Sequence, residues 1–172
     1  MPAVNNVTRM LDARKIGYTA FSLPDEKLGA HETARLLNTP PELVFKTIVV
    51  TREKPGRPLL VLVPGTATVD LKKVAAAMGE KRVRLPTERE AEELTGLRAG
   101  GISPLALLKR GFRVLIDNSA QEHAEVHVSG GQRGLNIRLG VSDLARLANA
   151  RFASVSAPAA DRDLDGDQSA TP

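Results

Sequence analysis

An α/β (α+β) fold, with one mixed and curled sheet and helices packed outside it, is predicted by three observations. Apolar strand patterns outnumber what a simple βαβ alternation supplies. Two pairs of them, 46–51 with 59–63 and 125–129 with 135–139, are close enough in sequence to be antiparallel hairpins. Around them stand short amphipathic segments with polar caps at one end and glycine at the other.

Taken in order, Val7, Met10 and Leu11 recur at helical spacing, so residues 5–15 are predicted to be a helix that Gly17 ends. Tyr18 to Leu23 alternates and reads as a strand, Pro24 to Gly29 as a polar loop, and His31 to Leu37 as a second helix. In Thr39-Pro40-Pro41-Glu42, Thr39 can cap, Pro40 suits the first helical position and Glu42 completes a capping box. That turn leads into the strand Lys46 to Thr51, and a turn rich in charge, Gly and Pro leads to its partner, Leu59 to Val63. Asp70 caps a helix carrying Leu71, Val74, Ala75 and Met78, stopped by Gly79. Lys81 to Leu85 is a short strand, and Thr87 with Glu90 opens a helix ended by Gly96. A short basic turn lies near Leu105 to Lys109, and Arg113 to Asp117 is a buried strand. The second hairpin follows. Ser142 is predicted to cap a last helix with Leu144 and Leu147, and Phe152 to Val155 to add an edge strand.

The chain has 172 residues, 42% hydrophobic and 26% charged, which suits one soluble domain, residues 1–157, with a core of its own. Residues 158–172 offer almost nothing to bury and are expected to be a disordered acidic tail. There is no cysteine, which excludes disulfides, zinc–thiolate sites and cysteine nucleophiles. The start MPAVNNVTRML lacks a basic segment followed by an apolar run, and no span of about 18 apolar residues occurs. No signal peptide or membrane helix is expected, and the protein reads as cytoplasmic. Net charge is +4. Without Arg162 and the four aspartates of the tail, 23 basic residues face 16 acidic ones. A basic body suits a polyanion such as nucleic acid, and equally a plain solvated surface.

Candidate chemistry begins with absences: no P-loop, no strand–GxGxxG–helix unit and no HExxH occur. His123 and His127 are four apart. In extended chain their backbones would stand about 13 Å apart, a poor fit to one metal, so no metal and no cofactor are expected. Lys46 reads either as the solvated end of its strand or as an ammonium held by the strand and reaching into a cleft. Gly100-Gly101-Ile102-Ser103-Pro104 is either a tight turn or a loop presenting backbone N–H groups to an oxyanion. Ser129-Gly130-Gly131-Gln132-Arg133-Gly134 has more glycine than a hairpin tip needs, and Arg133 could pair with a phosphate. Lys72, Lys73, Lys81, Arg82, Lys109 and Arg110 would be electrostatic footing for RNA, or ordinary surface.

With these stretches in order, the chain resembles the YbaK family of freestanding aminoacyl-tRNA deacylases, relatives of the editing domain inserted in bacterial prolyl-tRNA synthetases. The resemblance runs from about Met10 to Ala153. It is carried by Pro41 to Thr47, Asp70 to Ala75, Gly100 to Leu105 and Val128 to Leu135. It implies a partly open, barrel-like sheet and hydrolysis of misacylated Cys-tRNA(Pro), with Lys46 as the key lysine. It places the substrate loop on Gly100, Gly101, Ile102, Ser103 and Pro104, and a second binding segment on Ser129, Gly130, Gly131, Arg133 and Asn136. Asn136 stands where the family pattern has aspartate, and Leu23 where some members have tyrosine. The implied partners are the tRNA(Pro) acceptor end and prolyl-tRNA synthetase. The substrate's own thiol could attack the ester, or water could. Two other readings stay open: an editor of Ala-tRNA(Pro), and a tRNA- or synthetase-binding adaptor without turnover.

Overall fold

The computed structural model describes residues 1–159; the greater part of the predicted acidic tail, 160–172, lies outside the described residues. Pro158, where that tail was expected to begin, pairs with Ala67 in a short ribbon. Among the described residues there are ten strands: β1 (Tyr18–Ser22), β2 (Phe45–Arg52), β3 (Leu59–Pro64), β4 (Ala67–Val69), β5 (Val83–Arg84), β6 (Arg113–Asp117), β7 (Glu125–Ser129), β8 (Leu135–Gly140), β9 (Arg151–Ala153) and β10 (Ser156–Pro158). The helices are α1 (Asn6–Ala13), α2 (Ala30–Leu37), α3 (Leu71–Met78), α4 (Glu88–Thr95) and α5 (Val141–Leu147).

The largest sheet has the order β5-β2-β3-β6-β9. β2 runs antiparallel to β5 and β3, while β3–β6 and β6–β9 are parallel. A three-stranded antiparallel sheet, β1-β8-β7, joins it through one parallel bridge between Val44 and His127. The result is the mixed, curled and open sheet that the sequence predicts, with β5 and β9 as free edges of the larger ladder.

β3 explains why the sheet must be covered twice. All six of its residues are buried. Leu60 and Leu62 pack with Val49, Ile116, Val128, Ile137, Leu139 and Leu144, against α1 and α5. Leu59, Val61 and Val63 point the other way, to Ile48, Val50, Leu115 and Val155 under Val74 and Ala75 of α3. A continuous apolar run is the signature of a strand buried on both faces.

Local signals set most boundaries. The Asp70 carboxylate accepts from the Lys73 N–H and Gly79 closes α3 with φ +65°. Thr87 and Glu90 form a reciprocal capping box at α4. Three expectations are corrected. Thr39 is not a cap: Pro40 is extended, because the residue before a proline is driven out of the helical region, and only a 3₁₀ turn, Pro41–Leu43, follows. Ser142 is not a cap either, since β8 runs straight into α5 with Gly140 at the N-cap and the Val141 N–H donating to Ala124 O. The last edge strand is Arg151–Ala153, and Val155 turns its N–H onto the Asp117 carboxylate instead. Strand β5 keeps only Val83 and Arg84 of the predicted 81–85. The β4–β10 ribbon had no signal beyond three-residue alternation.

Candidate active site

The cleft lies at the seam between the two sheets. Lys46 is the second residue of β2 and pairs with Val63 of β3, so its base is fixed by the ladder to a strand whose six residues are all buried. Its stem is half-buried and its Nζ is buried. The cleft is also lined by the segment from Lys27 to Ala30 that leads into α2, where Lys27 is tied to Glu88 of α4 at 2.5 Å. Ala99, Gly100 and Ile102 line it from the first glycine loop, and Ser129, Leu135 and Asn136 from the second hairpin. Together they enclose about 250 Å³.

Two loops are interlocked behind that wall. Gly101 sits so close to the second loop that a Cβ there would stand 2.8 Å from Gln132 Cα and 3.0 Å from Arg133 N. Gly100 adopts φ +90°, a conformation natural to glycine, with Lys27 Cα at 3.1 Å from where a Cβ would be. The Arg133 Nε–H donates to Ala99 O at 2.6 Å, and the Asn5 side chain donates to Gly130 O at 2.9 Å and to Gln132 Oε1 at 3.0 Å. Ala99 N–H donates to Glu92 Oε2 at 2.8 Å, anchoring the first loop on α4. The Gly101 N–H is itself committed, to Arg98 O at 2.8 Å.

The structure therefore brings Lys46, Gly100, Ile102, Ser129 and Asn136 to one cleft. It places Gly101, Gly130, Gly131 and Arg133 behind that surface, where loop meets loop. Ser103 is fully buried, its Oγ accepting from the Leu105 N–H, and Pro104 opens the 3₁₀ turn Pro104–Ala106.

Thr47, Lys27 and Thr33 line the cleft without having stood out as site residues, and His127 stood out only as half of a poor metal pair. His127 is 4% exposed, and its Nδ1 lies 2.8 Å from Asn136 Oδ1. In Glu125-Val126-His127-Val128-Ser129, strand alternation puts His127 on the polar face with Glu125 and Ser129. It is buried there because the Phe21 ring stands 5.4 Å away and Val44 bridges to its backbone. Burial holds the His127 pKa below the usual imidazole value, assisted by the nearby Arg138 cation and opposed by the Asn136 hydrogen bond and Glu125. Among the described residues no cluster of three His, Asp or Glu side chains is placed to hold a metal ion.

A half-enclosed cleft of mixed polar and apolar lining, with a strand lysine in its wall and two interlocked glycine loops beside it in a basic α/β protein, defines a small-ligand site in which backbone and neutral side chains outnumber acids and bases. The chain belongs to the aminoacyl-tRNA editing domain family, whose model matches residues 26–147. It is 33% identical over 153 residues to the Enterococcus faecalis protein named "Putative Cys-tRNA(Pro)/Cys-tRNA(Cys) deacylase EbsC", covering 88% of this chain and 92% of that one. It is 29% identical over 115 residues to the proline–tRNA ligase of Brachyspira hyodysenteriae, of which it spans only 19%. A solved structure described as "a putative trans-editing enzyme for prolyl tRNA synthetase" superposes with a TM-score of 0.74 at 26% identity, covering 90% of this chain and 99% of that one.

Proposed function

We propose that this protein is a trans-editing deacylase that clears misacylated Cys-tRNA(Pro) in the cytoplasm, beside prolyl-tRNA synthetase. The observation that carries it is the convergence of Lys46, Gly100, Ser129 and Asn136 on one cleft in a chain 33% identical to a protein named for that activity. The relation to proline–tRNA ligases supports the choice of tRNA and synthetase. The cleft's volume is below the ~300 Å³ at which pockets for drug-sized ligands begin, which suits one aminoacyl unit.

An aminoacyl ester is already activated, so position and electrostatics can carry much of the rate. Lys46 anchors the phosphate or ribose of the terminal adenosine. With the Gly101 N–H committed, the Gly100 N–H is the donor from that glycine pair for the ester carbonyl as its charge develops. The substrate's thiol attacks the carbonyl carbon, the C–O ester bond breaks, and the tRNA hydroxyl leaves with the thiol's proton, giving a cyclic thioester that water opens. The test is a panel of Cys-, Ala-, Ser- and Pro-tRNA(Pro), in excess over protein, with and without the synthetase. Turnover of Cys-tRNA(Pro) faster than its seryl counterpart is expected. Equal rates on the two count against thiol attack, a preference for Ala-tRNA(Pro) moves the substrate, and protection of the ester without turnover makes the protein an adaptor.

A further inference from the structure

Asn136 lies in a row across three strands, between Phe21 of β1 and Ser129 of β7, and faces the cleft. Its side chain has two ends that do opposite things: an oxygen that accepts and an NH₂ that donates. The oxygen is occupied, 2.8 Å from His127 Nδ1, with both residues 4% exposed. Among the described residues nothing accepts from the NH₂. We propose that His127 is a positioning residue: by donating Nδ1–H to Asn136 Oδ1 it turns the amide so that its NH₂ faces the cleft, which makes this point of the site a recogniser of an oxygen acceptor on the bound aminoacyl ester and not of its α-ammonium group. This rests on the deacylase reading above.

The imidazole has little freedom to do otherwise. Phe21 packs on it at 5.4 Å and 50°, and Arg138 lies over that same Phe21 ring at 5.3 Å. The charged groups around it are Glu125 on its own strand, Arg138 on β8 and, across the cleft, Lys46 on β2. Burial favours the neutral ring, and a neutral ring with hydrogen on Nδ1 is the tautomer that fixes an amide oxygen. A carboxylate at 136 would present acceptors and a negative charge to the same point, and so would draw the ammonium group.

The experiment uses full-length protein and two substrates, cysteinyl-tRNA(Pro) and the ester in which a hydroxyl replaces the α-amine. His127→Phe, which keeps the ring, is expected to lower kcat/KM about tenfold, mainly through KM, the worth of one hydrogen bond. His127→Gln, whose amide can donate to the same oxygen, recovers most of it. His127→Phe combined with Asn136→Ala is no slower than Asn136→Ala alone. Wild type takes both esters at similar rates, whereas Asn136→Asp prefers the amine below neutral pH and loses that preference as the amine deprotonates. Additive losses in the double variant, or a strong wild-type preference for the amine, overturn the proposal. Should wild type cleave neither ester, the deacylase reading fails. The imidazole tautomer, read by ¹⁵N NMR, still decides the positioning claim: hydrogen on Nδ1 supports it and hydrogen on Nε2 overturns it.

Discussion

Gly101→Ala tests the interlocked loops most directly. The new methyl would meet Gln132 Cα at 2.8 Å, Gln132 C at 2.9 Å and Arg133 N at 3.0 Å, where ordinary contact begins near 3.4 Å. These are backbone atoms, so no side-chain rotation relieves the clash, and the loops must part by roughly half an ångström. Overpacking of this kind costs about 1–3 kcal/mol. In a chain of this size each kcal/mol moves Tm by about 2–4 °C, so a fall of about 2–12 °C is expected. The same movement carries Gly100 away from Lys46. A 1 Å misplacement can cost about 100-fold in rate, so half of that is worth about tenfold in kcat/KM. Thermal melts and single-turnover deacylation of Cys-tRNA(Pro) measure the two effects. Gly17→Ala is the control, because nothing lies within 4 Å of its added Cβ. Should Gly101→Ala match wild type in both Tm and rate, the contact between the loops does not shape the site.

Three further outcomes are expected. Lys46→Ala should lower kcat/KM by about 100-fold, mainly through KM, as loss of an anchor on the bound tRNA end does, with Lys46→Arg a poor substitute because a planar fork replaces a compact ammonium; kcat/KM within threefold of wild type removes Lys46 from the mechanism. Glu80→Ala leaves the Arg52 guanidinium, bound to Glu80 at 2.6 Å and only 17% exposed, without its carboxylate, and should cost about 3 kcal/mol in a denaturant titration while Glu80→Gln costs less. Burial raises the Asp117 pKa, but hydrogen bonds from the Ser119 hydroxyl and the N–H groups of Val155 and Ser119 outweigh it and hold the carboxyl below its usual value. Its stabilisation is therefore complete above an unfolded pKa of about 3.9 and is lost as pH falls through the lower folded value. Asp117→Asn should flatten that acid limb in pH-dependent melts.

The covalently local signals were legible. Asp70, Thr87 with Glu90, Gly79 and Gly96 act within a few residues, so the sequence alone located both ends of α3 and α4. The two hairpins were equally plain: alternation on each side of a glycine-rich turn marks β7 with β8, and two apolar runs around a turn rich in charge, Gly and Pro mark β2 with β3. What local signals do not show is long-range. Gly101 reads as part of a donor loop, and nothing near it in sequence tells that its smallness also serves a loop 31 positions later or that its N–H bonds Arg98 O. Arg133 reads as able to pair with a phosphate, and nothing local tells that its Nε–H reaches Ala99 O. His127 was set aside as half of a poor metal pair, because period-two alternation assigns a face and cannot say what covers that face.

The position of the cleft follows from how the sheet is built. Within each ladder, backbone N–H and C=O groups consume one another, leaving nothing for a ligand. Between β2 and β7 only one bridge forms, Val44 to His127, and there the chain direction of the larger sheet gives way to that of the smaller. Side chains on the faces that meet at this seam cannot all be apolar without closing it, nor all charged without a desolvation cost. The sequence places Lys46, Thr47, Ser129 and Asn136 there, three of them neutral. A cleft whose charged lining residues are Glu26, Lys27 and Lys46, with Lys27 tied to Glu88 and, among the described residues, no histidine in its wall, is poorly equipped to move protons near neutral pH, and well equipped to hold an ester whose leaving group is already good. That is why the discriminating measurements are those that change the substrate's own groups, thiol against hydroxyl and amine against hydroxyl, as much as those that change the protein.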